Sequence, residues 1–132
     1  MKQRPMLTLD DCRKISAAAE AEARTNNWNV CIAILDDGGH LLHLIRMDGS
    51  TPANARIAVE KGRTAAETRR STTNWQERIK TRPELVRMPG VTPVQGGLPI
   101  IVEGSCVGAV GISGVQSHED EQIAAAGIKV LE

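Results

Sequence analysis

From Trp28 to Leu35 the chain is apolar at every position but Asn29, with β-branched Val30, Ile32 and Ile34 among them. A strand whose two alternating sets of side chains are both apolar is covered on both faces. This run therefore demands a packed layer on each side of a sheet. The 132 residues suffice for one such domain, residues 1–132, and are too few for two. Asp36-Asp37-Gly38-Gly39 comes next and supplies residues that tolerate positive φ, so a hairpin turn follows and His40 to Met47 returns as the partner strand.

Helices bracket this hairpin. Thr8 stands three residues before Asp11 as a capping box, and Leu9, Cys12, Ile15, Ser16, Ala19 and Ala23 share one face of a helix from Leu9 to Arg24. After Asp48-Gly49, Ser50 or Thr51 caps a second helix from Ala53 to about Arg70, with Pro52 in its first turn. Its apolar stripe, Ala55, Ala58, Val59, Gly62, Ala65 and Ala66, is made of small residues that admit close approach to a sheet. Arg56 with Glu60 and Arg63 with Glu67 are spaced as i,i+4 pairs. A short capped turn is expected at Thr73 to Ile79. Lys80 to Gly97 is irregular and rich in Pro and Gly, which marks a functional loop. Leu98 to Val102 and Cys106 to Ile112 make a second hairpin, interrupted by glycines that signal close approach of another backbone or a ligand. Ser117, with Asp120, caps a last helix. The order α-β-β-α-β-β-α gives an α+β fold with a largely antiparallel sheet.

Composition narrows function. Sixteen basic and sixteen acidic residues cancel, which argues against a nucleic-acid or membrane-surface binder. Two Trp, no Tyr and no Phe leave nothing for base-stacking platforms. No apolar stretch is long enough to span a bilayer. The first residues lack the apolar run of a signal peptide, so the expected location is cytoplasmic. Cys12, Cys31 and Cys106 form no close pair and read as small buried hydrophobes.

Few residues suggest chemistry outright. His40 and His43, three apart on a strand, point to opposite faces and cannot share a metal ion; His118 sits among acids at a helix start, and no metal site is expected. Ser113-Gly114 lacks the motif of a nucleophile elbow, and Gly38-Gly39 and Gly96-Gly97 do not open phosphate loops. From Arg56 to Arg87 nine basic residues face four acidic ones. That excess fits either a solvated helix face or an anion site for carboxylates. Asn54, Ile57, Lys61, Thr64 and Thr68 share a second face of the helix, as a pocket or subunit interface would require.

Several blocks also resemble one family in its order along the chain. They are Leu7-Thr8-Leu9, Asp36 to Leu41, Arg46 to Gly49, Lys61 to Ala65, Gly96 to Ile100, Gly108 to Gly114 and Asp120-Glu121. Together they are similar to the GlcG/HbpS family of haem-degrading-like proteins. The resemblance implies a profilin-like central antiparallel sheet of about five strands flanked by helices, the fifth strand coming from the loop before Gly96. It also implies a homo-oligomer, from dimer to octamer. Members include haem-binding sensors and domains fused to corrinoid adenosyltransferases, so the implied cofactor is haem or a corrinoid bound near a subunit interface. In haem-binding members a threonine at the position of Thr64 is associated with the iron. The chain departs from the pattern at Gly62, commonly Ala, and at Arg63, often aromatic.

Two functional expectations follow. In the first, Thr64 lies near a tetrapyrrole metal, and Lys61 with neighbouring arginines pairs to its propionates. In the second, a small enzyme or accessory subunit acts on an organic acid: Arg46 and Lys61 clamp the carboxylate, and His43 or Asp48 moves a proton. Backbone N–H groups of Gly96, Gly97, Ser113 and Gly114 would then stabilise an oxyanion. Local alternatives stand beside each role: an Arg46–Asp48 ion pair, an interior or interface His43, and a Thr64 hydroxyl bonded to its own helix.

Overall fold

The computed structural model describes residues 1–132. The apolar run becomes β1 (Cys31–Asp36), in which Cys31 to Leu35 are completely buried. It pairs with β2 (Leu41–Arg46) on one side and with β4 (Ser105–Ser113) on the other, and β3 (Gly97–Val102) pairs with β4. All pairings are antiparallel, in the order β2-β1-β4-β3.

Alternation along β1 sends its side chains into two different layers. Ile32 and Ile34 join the main core with Cys12, Ile15, Ala19 and Ala23 of α1 (Leu9–Thr25) and Ile123 and Ala124 of α4 (Ser117–Ile128). Cys31, Ala33 and Leu35 face the other way, onto Ala58 of α2 (Pro52–Thr68). The small-residue stripe explains the second layer. A Cβ on Gly111 would lie 1.9 Å from the Ala58 carbonyl oxygen, so the backbone of α2 rests on that of β4. All three cysteines are free and buried.

Local chemistry sets the boundaries. Thr8 and Asp11 form the expected capping box, although Leu9, assigned to the inner face, is 52% exposed. Asp36 Oδ1 accepts N–H bonds from Gly38 and His40, and Gly39 takes φ +84°, which closes the first hairpin. Glu103 and Gly104 both take positive φ in the second, as a two-residue turn requires. The expected turn after α2 is a full helix, α3 (Thr72–Arg78), capped by the Ser71 hydroxyl.

Two expectations are corrected. The sheet has four strands rather than about five. The stretch before Gly96 instead holds a 3-10 turn at Pro83–Arg87, because Pro83, Pro89 and Pro93 lack the N–H groups that a ladder needs. Ser117 does not cap α4; Gln116 does, with Glu119, which frees Asp120 for another partner. Of the two caps expected for α2, Thr51 holds the position, and the Ser50 hydroxyl donates to the Met47 carbonyl.

Candidate functional site

Lys61 lies midway along α2 on the side that meets the end of β4, and only 2% of it is exposed. A buried ammonium needs a partner. Its Nζ donates to Asp120 Oδ2 at 2.9 Å and to the Ile112 carbonyl at 3.0 Å. Asp120, equally buried at the start of α4, also accepts the Val115 N–H on Oδ1. Burial pushes the Asp120 carboxyl above its ordinary range, opposed by Lys61 and by the N–H groups of Val115 and Gly114.

Glycines make room for this ion pair. A Cβ on Gly96 would come within 2.8 Å of Lys61 Nζ, and one on Gly97 within 2.3 Å of the Lys61 carbonyl oxygen. The Gly97 N–H donates to Thr72 Oγ1 at 2.8 Å. Beside the pair, Glu121 accepts from Thr73 Oγ1 at 2.6 Å and from Gln95 Nε2 at 3.0 Å. Gln76 takes the Gln95 N–H at 2.8 Å. The irregular loop, α3 and α4 are thus stitched together around one buried charge pair.

Thr64, one turn further along α2, is fully buried and bonded on both sides. Its hydroxyl lies 2.9 Å from the Glu60 carbonyl and 3.3 Å from that of Gly90, and it accepts the Thr92 N–H at 2.9 Å. The hydroxyl therefore bonds its own helix and holds the Gly90-to-Thr92 loop against it. Thr68 Oγ1 donates to the Thr64 carbonyl and accepts the Trp75 indole N–H, which anchors α3 to the same helix.

The remaining candidates lie elsewhere. Arg46 is exposed at the end of β2, Asp48 is exposed just past it, and no ion pair joins them. His43 is half-buried opposite Ile34. Register places Ser113, Cys31 and Arg46 in a row across three strands, and Ser113 Oγ donates to Asn54 Oδ1 at 2.9 Å. Arg46 and Lys61 therefore form no carboxylate clamp, because the Lys61 ammonium is already spent inside the fold. The N–H groups of Gly97 and Gly114 are likewise directed at Thr72 and Asp120. No group of three or more His, Cys, Asp or Glu side chains is placed to hold a metal ion.

The basic segment is partly neutralised. Arg63 pairs with Glu60 instead of Glu67, Lys80 with Glu77, and Arg82 with Glu84. Arg78 stacks over Trp75, 4.9 Å from the ring centre. Arg56, Arg70 and Arg87 stay exposed without a carboxylate partner. One cavity, of about 190 Å³, opens on the opposite side of the sheet, between Met6, Leu7, Val102 and Val107.

Residues 7–129 match the model of the family described as haem degrading protein HbpS-like. The chain belongs to this HbpS-like family. It is 46% identical to the Escherichia coli K12 protein GlcG over 114 residues, 86% of this chain and 85% of that one. The crystal structure of HbpS superposes with a TM-score of 0.92 at 32% identity, covering 100% of this chain and 94% of that one. The crystal structure of a PduOC:Heme complex shares the fold, with a TM-score of 0.87 at 23% identity over 95% of this chain and 94% of that one. In this HbpS-like chain, four of the blocks that carry the family resemblance meet at one place. Lys61 to Ala65, Gly96 to Ile100, Gly108 to Gly114 and Asp120-Glu121 all border the buried ion pair. Asp120 is the residue that sequence reasoning assigned elsewhere, to a cap and a helix dipole. The available signal was Lys61 itself, because a lysine beside a small-residue stripe calls for a buried anion.

Proposed function

We propose that this HbpS-like chain is a small-molecule-binding domain for a haem-type tetrapyrrole, held between copies of the chain in a homo-oligomer. The family match and the PduOC:Heme complex support the ligand class. The observation that carries the reading is the Thr64 tether. It fixes beside α2 a loop that begins with unpaired Arg87 and with Met88, which is 44% exposed. Arg70, also unpaired, lies just past the end of the same helix. Guanidinium groups suit propionates, and a thioether is an established haem ligand. The Thr64 hydroxyl does not fit as the iron ligand, since it is fully buried and already shared among the Glu60 and Gly90 carbonyls and the Thr92 N–H; its role is to hold the loop.

A pocket for a ligand of drug size or larger measures about 300–1,000 Å³. The cavity of about 190 Å³ is smaller than that and lies across the sheet from Thr64. A tetrapyrrole therefore sits on the surface of one chain, and a second copy supplies its other wall. A corrinoid is also a tetrapyrrole, with a contracted ring and amide side chains in place of the two propionates, so it serves as the comparison. No observation favours the organic-acid reading, whose clamp needs Lys61 free.

Titration with haemin, followed in the visible spectrum, tests the proposal. A saturable complex is expected, weakened at least tenfold in Arg70→Glu/Arg87→Glu and with altered iron bands in Met88→Ala. A cobalamin titration separates the two macrocycles. Saturation by cobalamin alone moves the assignment to a corrinoid, and saturation by neither overturns it.

A further inference from the structure

The cavity of about 190 Å³ on the α1 and α4 side of the sheet takes no part in tetrapyrrole binding as proposed above. Leu7, Val102, Val107 and Leu131 line it with apolar atoms, and Asp11 is its one charged lining residue.

The chain holds this space open. Leu7 is seated against the sheet, where a Cβ on Gly108 would come within 2.7 Å of Leu7 Cδ1. Further out, an Arg4–Asp37 ion pair pins the segment that precedes α1. The Thr8–Asp11 capping box fixes the start of the helix itself. Empty volume lowers stability in proportion to its size. A flexible side chain that could fill it is at hand, yet Met6 borders the cavity and stays 80% exposed. An apolar space with a fixed outline and one placed polar group is the usual form of a small-molecule site.

Volume and charge define the occupant. An apolar cavity of about 150 Å³ admits benzene, so this one takes a single ring or a chain of about six carbons. Asp11 Oδ2 accepts both the N–H and the hydroxyl of Thr8, each at 2.9 Å. Those bonds hold the carboxyl below its ordinary range, so it is charged at neutral pH. Oδ1 has no partner in the chain. The nearby cations are committed elsewhere: Lys14 pairs with Asp10 at 3.4 Å, and Arg4 with Asp37.

We propose that this cavity is a second ligand site, for a small amine whose single ring or short chain fills it while the ammonium donates to Asp11 Oδ1. A hydrocarbon of the same size leaves Oδ1 unused, and a carboxylate meets it with like charge. The site lies across the sheet from Thr64 and is independent of the tetrapyrrole proposal.

Benzylamine, toluene and benzoate carry one ring each and a positive, zero and negative charge. Titrating each into the full chain at neutral pH, followed by methyl and amide NMR shifts, tests the site. Benzylamine is expected to saturate and to move the methyls of Leu7, Val102, Val107 and Leu131 while the Thr92 amide stays in place. Toluene should bind about fivefold more weakly or worse, and benzoate should not saturate. Asp11→Asn should weaken benzylamine by about the same factor and leave toluene unchanged. Val102→Phe, which fills the cavity, should abolish both. If either variant fails to fold, the ranking of the three probes and the wild-type methyl shifts decide. No saturable binding, benzylamine no tighter than toluene, benzoate as tight as benzylamine, or shifts away from these methyls overturns the proposal. No readout involves haem, so a failed haemin titration leaves it standing.

Discussion

Lys61 and Asp120 form a buried ion pair 2.9 Å long that joins α2 to α4 across the end of β4. Taking one charge away leaves the other desolvated without a counter-charge, which costs about 3–5 kcal/mol. Lys61→Met should lose that much stability near neutral pH, read by urea unfolding. Adding Asp120→Leu should restore part of it, because the orphaned carboxylate is then gone. A loss under about 1 kcal/mol for the single change would mean that the pair does not close the fold.

The sign of the pH dependence follows from burial. The folded Asp120 holds its proton more tightly than the unfolded chain does. Its contribution is fully present below the ordinary carboxylate value and is lost as pH rises through the raised folded value. Asp120→Asn has no such term, so its stability should improve relative to the wild type as pH rises from about 4, then level off. Asp11 runs the opposite way, its carboxyl lowered by the Thr8 N–H and hydroxyl. Asp36 does too: burial raises it, but the N–H groups of His40 and Gly38 hold it low. Their contributions are present above the ordinary range and are lost as pH falls through the lowered values. Asp11→Asn and Asp36→Asn should therefore lose ground to the wild type as pH rises. Melting temperatures across this range check all three slopes.

What could be read ahead of the structure was local. The Thr8–Asp11 box, the doubly covered strand, the small stripe of α2 and both hairpin turns depend on neighbours in the sequence, and each is present. Asp120 was harder to place. Its partner lies 59 residues away, and two first-turn acids, Glu119 and Asp120, competed for the same capping role until Gln116 and Glu119 took it. The resemblance supplied a fifth strand that the prolines before Gly96 exclude. Close approach was legible in the glycines of the second hairpin, such as Gly111; at Gly96 and Gly97, read as oxyanion donors, what approaches is Lys61.

Thr64 supports a prediction about the loop rather than the core. Thr64→Val keeps the shape but removes the acceptor for the Thr92 N–H and the donor to the Gly90 carbonyl. A loss of about 1–3 kcal/mol is expected. Hydrogen exchange should show the Thr92 amide losing protection while the amides of β1 keep theirs. Thr64→Ser retains the hydroxyl and should retain most of that protection. Equal protection in Thr64→Val and wild type would remove Thr64 as the tether.

Gly111 and Gly104 separate close packing from backbone conformation. A Cβ on Gly111 would lie 1.9 Å from the Ala58 carbonyl oxygen and 2.6 Å from the Gly62 nitrogen, so all of α2 would have to move. No flexible side chain is there to give way. Gly111→Ala should cost more than about 4–5 kcal/mol, enough to abolish soluble expression of a domain of marginal stability. Gly104 takes φ +80° with nothing within 4 Å of its added Cβ. Gly104→Ala should cost only the left-handed backbone penalty, about 1–2 kcal/mol. Soluble yield and thermal melts of the two variants decide the matter. Similar behaviour would mean that α2 and β4 do not meet backbone to backbone, and the small-residue stripe would lose its explanation.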